Sequence, residues 1–186
     1  MKFIFLFATL SLFAKVHPAK DFKINDKISL KNYANDTVVL EWFNKDCPFV
    51  VKHYKSGNMQ ALKKKYTAKG IKWISILSSA KGKQGFFEND EVANKYIKEN
   101  KFASTHLVRD INGAIGRAYK AKTTPHMFVI HKGKIVYEGA IDSIASTDME
   151  DVPKAKNYVA MTLDKIIDKK TVAYAKTQAY GCSVKY

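Results

Sequence analysis

The chain has 186 residues, of which 46% are hydrophobic and 12% aromatic, enough to build and bury the core of one ordinary domain. This composition excludes a disordered tail, a collagen-like repeat and a disulfide-stapled miniprotein. The 32 Lys and Arg residues outnumber the 17 Asp and Glu residues, which gives a formal net charge of +15. Only Arg109 and Arg117 are arginines. Because specific nucleic-acid contacts rely on arginine, we expect a solvated basic surface, weakly attracted to anionic surfaces, and no specific nucleic-acid interface.

The N-terminal segment has the pattern of an export signal. Lys2 precedes residues 3–14, an almost uninterrupted apolar run. The run, about 12 residues long, fits the hydrophobic region of a signal peptide and is shorter than the roughly 20 residues that span a bilayer. We therefore expect residues 1–14 to be a signal peptide, cleaved near residue 14 or 19 or retained as an anchor. The protein is then exported, periplasmic or secreted, where disulfide bonds can persist.

The remaining residues alternate strand and helix patterns. The first half predicts a hairpin at 22–30, a buried strand at 37–43, a helix that begins at Pro48, breaks at Gly57 and ends at Gly70, and a buried strand at 71–77. Next come a helix capped by Asn89, with Val92, Ala93, Tyr96 and Ile97 on its apolar face, a strand at 106–109 and a short helix ending at Tyr119. The last elements are a hairpin of strands 126–131 and 134–139 and a final helix that begins at Pro153, with Ala155, Val159, Leu163 and Ile166 on one face. These elements predict an α/β fold with a mixed central β-sheet flanked by helices on both faces.

The domain organisation follows from the same pattern. Residues 21–170 are expected to form one domain, and residues 171–186 a tail that carries Cys182. The tail is long enough to run back across the surface, since 16 extended residues span up to about 50 Å. Tyr174 and Tyr180 are its candidate aromatic anchors.

The chemistry is expected at Cys47, which directly precedes the helix that begins at Pro48. A thiol at a helix N-terminus faces the positive end of the helix dipole and unpaired N–H groups, which favour the thiolate. Lys45, Lys52 and His53 are close in sequence and are candidates to strengthen this effect, although His53 is expected to lie on the surface. The alternative is a buried, inert cysteine at the end of a core strand.

The order of these motifs resembles a known superfamily. Residues 42–50, from Trp42 to Val50 around Cys47-Pro48, resemble the active-site turn of the thioredoxin superfamily. Thr123-Thr124-Pro125 before an apolar strand is similar to its cis-proline segment, and residues 110–119 are similar to the region before that proline in the redoxin branch. With Gly181-Cys182 near its end, the chain is identified as a member of the peroxiredoxin-like group of the AhpC/TSA (redoxin) family.

The resemblance implies a thioredoxin-like fold and a site around Cys47. Pro125 in the cis form would present the Thr124 backbone to a substrate, with Pro48 and His126 beside it, the histidine as a candidate proton shuttle. Trp42 is expected either in the core or as the wall beside Cys47.

Two departures from the family pattern bear on activity. Val50 stands where thioredoxins have the second cysteine of C-x-x-C. Leu40 and Asn44 stand where peroxiredoxins have the proline and threonine that precede the peroxidatic cysteine, and the peroxiredoxin arginine has no clear counterpart. The departures argue against a thiol peroxidase in the narrow sense.

Cys182 has three possible roles. It can resolve a mixed disulfide or sulfenic acid on Cys47. It can form a permanent bridge to Cys47, which on the chain-entropy model would stabilise the fold by about 4–5 kcal/mol. It can also remain an unpaired thiol.

These observations predict an exported thiol–disulfide oxidoreductase or thiol-dependent antioxidant that uses Cys47. The alternatives are a narrow-sense peroxiredoxin, or a non-catalytic binding module with a structural Cys47–Cys182 bridge. The expected partners are a protein or small-molecule thiol or disulfide and an electron donor. No cofactor is expected, and no metal, because His17, His106 and His131 lack ligand spacing.

Overall fold

The computed structural model describes residues 17–186, so the expected signal segment at residues 1–14 lies outside the described residues. The strands are β1 (His17–Pro18), β2 (Thr37–Trp42), β3 (Lys72–Leu77), β4 (His106–Arg109), β5 (Thr123–Thr124), β6 (His126–His131), β7 (Lys134–Gly139), β8 (Ala175–Lys176) and β9 (Cys182–Ser183). The α-helices are α1 (Pro48–Lys55), α2 (Asn58–Thr67), α3 (Asp90–Glu99), α4 (Ala114–Tyr119) and α5 (Tyr158–Ile167), and 3₁₀ turns cover Leu30–Tyr33 and Met149–Lys154. Among the helices described, none has the length and apolar character needed to cross a membrane.

The main sheet is mixed, as predicted. Its strands are ordered β1-β7-β6-β2-β3-β4, with β8 also paired to β7. The β2, β3 and β4 strands run parallel, whereas β6 lies antiparallel to both β2 and β7. At the centre of the register, Leu40 lies opposite Ile74 on one side and Phe128 on the other.

Strand β2 is buried on both faces because its apolar residues alternate between two cores. Leu40 and Trp42 pack on one face with Tyr119 of α4. Val39 packs on the other face with Met59 of α2 and residues of α5. The prediction of helices on both faces of an α/β sheet is therefore confirmed.

Local signals placed most helix starts correctly. Pro48 is the first residue of α1, and Gly57, with a φ of 75°, separates α1 from α2. Asn89 caps α3 by accepting the backbone N–H of Val92 at 2.9 Å. The predicted apolar face of α3 is correct for Ala93, which is buried, and for Tyr96, which packs against the same cluster, but Val92 is 45% exposed.

The prediction that the last helix begins at Pro153 is wrong. Pro153 lies inside the 3₁₀ turn Met149–Lys154, and α5 begins at Tyr158. Asn157 sets this start, because its side-chain oxygen accepts the backbone N–H of Ala160 at 2.8 Å, the geometry of a strong N-cap. Val159 of the expected apolar face is fully buried, whereas Ala155 precedes the helix.

The C-terminal segment crosses the surface as a strap tied down at several points. Strand β8 pairs with β7, and β9 pairs antiparallel with β5, placing Cys182 opposite Thr124. Tyr186 then packs into a cradle formed by Gly113 and Gly116, where a Cβ atom on either glycine would overlap the ring or hydroxyl of the tyrosine. The Tyr186 hydroxyl donates to the carbonyl of Ala121 at 2.9 Å.

Candidate active site

Cys47 lies in the turn between β2 and α1, at the N-cap of the helix. The side chain of Asn44 holds this turn: its oxygen accepts the backbone N–H of Asp46 at 2.9 Å, and its amide donates to the carbonyl of Gln84 at 3.2 Å. The thiol therefore faces the helix N-terminus expected from the sequence, but its side chain is fully buried.

The second part of the site is the loop around Pro125, whose peptide bond with Thr124 is cis, as the resemblance implied. The Cys47 thiol donates a hydrogen bond to the carbonyl oxygen of Thr124 at 3.0 Å. The structure thus brings Cys47, Thr124 and Pro125 together, and Pro48 lies exposed beside them.

The tail brings Cys182 to the same place. Cys182 in β9 is paired with Thr124 in β5, and its side chain packs against the apolar cluster that contains Cys47. Both cysteines are free thiols, and they lie within hydrogen-bonding reach of each other. Gly181 makes this approach possible. It has a φ of 128°, and a Cβ atom there would overlap the Thr124 carbonyl.

The environment moves the two thiol pKa values apart. Burial raises the pKa of Cys47, but hydrogen bonds from Cys182, Thr124 and the backbone N–H groups of Cys182 and Val50 outweigh it and lower the pKa below its ordinary value. Burial and the neighbouring Cys47 raise the pKa of Cys182 to about 11. Cys47 is therefore the thiol that ionises first.

The cations expected to activate Cys47 are not the groups that do so. Lys45 pairs with Asp46 at 2.8 Å. Lys52 is buried and donates to the carbonyl of Ile144 at 3.1 Å. The lowered pKa of Cys47 comes instead from Cys182, from Thr124 and from the backbone N–H groups of Cys182 and Val50.

The expectation that His53 lies on the surface is wrong. Its side chain is fully buried, with Nδ1 2.9 Å from the Asn58 amide nitrogen and Nε2 3.3 Å from the Tyr180 hydroxyl. The Tyr180 hydroxyl donates to Asp142 at 2.5 Å. Burial lowers the pKa of His53 to about 4. This polar network fixes the tail two residues before Cys182, so Tyr180 is the anchor that the sequence suggested.

Two residues expected at the site face elsewhere. Trp42 is fully buried in the core with Tyr119 and Phe128, and its indole N–H donates to Ser78 at 3.0 Å, so it has no surface to offer a substrate. His126 follows Pro125, but its ring lies against Phe128, on the face of the sheet opposite the neighbours of Cys47. Burial lowers the pKa of His126 to about 4, which does not suit a proton shuttle at neutral pH.

A buried ion pair in β2 and α2 was missed by sequence reasoning. Glu41 and Lys63 are fully buried 2.8 Å apart. The Glu41 carboxylate also accepts hydrogen bonds from Tyr54, Trp73 and Ser75. Burial raises the pKa of Glu41, but Lys63 and the other hydrogen-bond donors lower it by more. The pKa is therefore below its ordinary value, and the side chain is held as a carboxylate. A charged residue inside an apolar strand was the only signal available for this pair.

Within residues 17–186, no cluster of His, Cys, Asp and Glu side chains is arranged to hold a metal ion.

The chain is similar to a known protein family and to several solved structures. A family model described as the AhpC/TSA family matches residues 16–138. A hypothetical protein from Sinorhizobium meliloti 1021 is 20% identical over 92% of this chain and 93% of that chain, with a TM-score of 0.72. An uncharacterized conserved protein from Geobacillus kaustophilus is 20% identical over 95% of this chain and 94% of that chain, also with a TM-score of 0.72. A putative thiol:disulfide interchange protein DsbE from Chlorobium tepidum is 22% identical over 66% of this chain and 82% of that chain, with a TM-score of 0.48. No curated protein matches the chain.

Proposed function

This chain belongs to the AhpC/TSA family, and on that premise we propose that it is an exported thiol–disulfide oxidoreductase in which Cys47 attacks and Cys182 resolves. The family and the thioredoxin-like fold support a general thiol redox function. The observation that carries the finer proposal is the contact between two free thiols whose pKa values are displaced in opposite directions. Such a separation assigns the two roles of an exchange reaction.

In the first step the Cys47 thiolate attacks one sulfur of a substrate disulfide. A bond forms between that sulfur and Cys47, the substrate S–S bond breaks, and its electron pair leaves on the second substrate sulfur, which takes up a proton from solvent. Cys47 is then held in a mixed disulfide with the substrate.

In the second step Cys182 loses its proton and attacks the Cys47 sulfur. The Cys47–Cys182 disulfide forms, and the remaining substrate sulfur departs as a thiol. The charge of Cys47 is one cause of the raised Cys182 pKa. Because that charge is consumed in the first step, Cys182 becomes easier to ionise when it is needed. The net result is one substrate disulfide reduced to two thiols, and an external dithiol must reduce the pair again.

Substrate access requires movement of the tail. Cys47 is fully buried, and strand β9 occupies the backbone groups of Thr123–Thr124 that an extended peptide would use. We therefore assign the substrate contacts to Thr124, Pro125 and Pro48, reached when the tail is displaced.

A permanent structural bridge is less well supported. The tail is already fixed by Tyr180 and Tyr186 while both thiols are free, so a disulfide is not required to hold it. Reduction of a peroxide by Cys47 is the second candidate, favoured by the buried Thr124 hydroxyl beside the sulfur. Asn44 does not support it, since its side chain is bound within the turn.

Single-turnover oxidation of wild type, Cys47→Ser and Cys182→Ser with a protein disulfide tests the assignment, and hydrogen peroxide in a parallel arm tests the second candidate. We expect wild type to form the intramolecular disulfide, Cys182→Ser to accumulate a mixed disulfide on Cys47, and Cys47→Ser to remain unreacted. If Cys182→Ser releases the substrate thiol as fast as wild type, an external thiol resolves the intermediate and the assignment of Cys182 is wrong.

Export is proposed on the sequence of residues 1–14 alone. N-terminal sequencing of protein recovered from the native host decides it. A mature N-terminus near residue 15 or 20 supports export with cleavage, and an intact N-terminus in the cytosolic fraction contradicts export.

A further inference from the structure

A cavity lies away from the two thiols, on the face of the sheet that carries Phe128. It has a volume of about 360 Å³, near the lower end of the usual range for small-molecule sites. One wall comes from the segment after α4, with Lys120 and Lys122, and another from the tail at residues 176–179. His126 and Glu138 complete it. We call this space the His126 cavity.

His126 contributes a hydrogen-bond donor that the protein does not use. The side chain is 7% exposed, and Nδ1 accepts the backbone N–H of Lys122 at 3.2 Å. In the neutral ring the proton therefore resides on Nε2. This N–H finds no acceptor among the residues described here, and it remains available as a donor. The ring lines the cavity, so an acceptor bound there would satisfy it.

The charges around the cavity favour an anion. Lys120, Lys122 and Lys176 line it, against a single acid, Glu138. That acid is already paired with Lys176. Within the described chain, Lys120 and Lys122 make no ion pair with a carboxylate, so two ammonium groups at the cavity are not neutralised. Several point charges beside one N–H donor suit a group with several acceptor oxygens.

We propose that the His126 cavity is a binding site for a small organic anion, whose phosphate or carboxylate group accepts the His126 Nε2–H and lies between Lys120 and Lys122. The volume leaves room for a body beyond the anionic group. The site is separate from the proposed thiol exchange, because it needs neither cysteine.

The test follows the imidazole nitrogens of the reduced, full-length protein by long-range ¹H–¹⁵N NMR. Sodium phosphate and sodium acetate are added in separate arms that distinguish the two oxyanions, and sodium chloride at equal ionic strength is the reference. We expect a saturable shift of the His126 Nε2 signal and of the Lys122 amide with at least one oxyanion. The free ring should also show the Nε2–H tautomer.

Variants separate a built site from general attraction to a basic protein. Lys122→Ala should weaken binding at least tenfold, whereas Lys95→Ala, which removes the same charge from a residue with a 75% exposed side chain on α3, should leave it unchanged. His126→Phe should abolish the shift of the Lys122 amide, and its thermal unfolding shows whether it folds. Shifts that do not saturate, or that follow ionic strength alone, or that both lysine variants weaken equally, would overturn the proposal.

Discussion

Gly181 and Thr124 lie so close that a Cβ atom on the glycine would overlap the carbonyl oxygen of the threonine. The same oxygen accepts the hydrogen bond of the Cys47 thiol at 3.0 Å. One carbonyl group is thus the fixed point for both the reactive cysteine and the tail that brings Cys182 to it.

Gly181→Ala should separate the tail from this carbonyl. We expect Cys47 to be alkylated at least tenfold faster than in wild type, because the strap no longer covers it, and the Cys47–Cys182 disulfide to form more slowly. Gly82→Ala is the matched control, since Gly82 also has a positive φ, 76°, but open space around it. Equal alkylation rates in wild type and Gly181→Ala would show that the contact does not control access.

The ionisation of Cys47 should depend on Cys182. Because the Cys182 thiol is one of the hydrogen bonds that lower the pKa of Cys47, Cys182→Ala should move the midpoint of iodoacetamide alkylation to higher pH. Cys182→Ser retains a donor and should give an intermediate value. In wild type, Cys47 should react before Cys182 at neutral pH. Identical midpoints in all three proteins would mean that the helix N-terminus alone sets the pKa.

Removing one partner of the buried Glu41–Lys63 pair should be costly. Lys63→Met leaves a buried carboxylate without its cation and should destabilise the protein by about 3–5 kcal/mol. The pKa of Glu41 then rises above its unfolded value, so the variant should regain stability relative to wild type as the pH falls and the carboxyl is protonated. Denaturant unfolding at pH 7 and pH 5 measures this, with Glu41→Gln/Lys63→Met as the control, which should recover part of the loss. A loss that is the same at both pH values would contradict it.

Tyr180→Phe should loosen the tail while the rest of the fold persists. The variant leaves Asp142 and His53 without their shared hydroxyl, and we expect a loss of about 1–3 kcal/mol. Hydrogen exchange at the amide of Val184, which donates to the carbonyl of Lys122, should accelerate. Tyr174→Phe provides the comparison, because Tyr174 lies before the network in the tail. Equal exchange in both variants would remove the anchoring role of Tyr180.

Acid should destabilise the fold through His53. Burial lowers the pKa of His53 to about 4, whereas an unfolded histidine titrates near 6.5. The unfolded chain therefore binds more protons between these values, so stability falls as the pH drops from about 6.5 to 4. His53→Gln should reduce the proton uptake on unfolding by about one, measured from the pH dependence of the unfolding free energy. Unchanged uptake would place the titration of His53 outside this window.

The central strand and the helix start at the site could be predicted because residues close in sequence determine them. The run that became β2 is apolar at four of its six positions, which indicates a central strand, and Cys47-Pro48 indicates a helix start. The start of α5 was mispredicted because both Pro153 and Asn157 are residues typical of a helix N-terminus. The helix begins after Asn157, whose side chain caps it.

The polar interior was not predictable in the same way. His53 is buried by Tyr180, which is 127 residues away in the chain, and Lys63 is buried by Glu41 from another element. Periodicity reports which face of a helix is apolar, but not which distant polar group will satisfy a buried one. The position of Trp42 was left open for a similar reason, since core and site wall require the same side chain.

The docked C-terminal tail affects the reduction potential of the Cys47–Cys182 pair. Docking through Tyr180 and Tyr186 fixes Cys182 beside Cys47 and gives it a high effective concentration, so disulfide formation has little entropy left to lose. By linkage, a contact that raises the docked fraction of the reduced protein also favours the oxidised pair and makes the reduced protein a stronger reductant. The contact of Tyr186 with Gly113 and Gly116 then contributes to the reducing power of this protein, in addition to the groups around the two sulfurs.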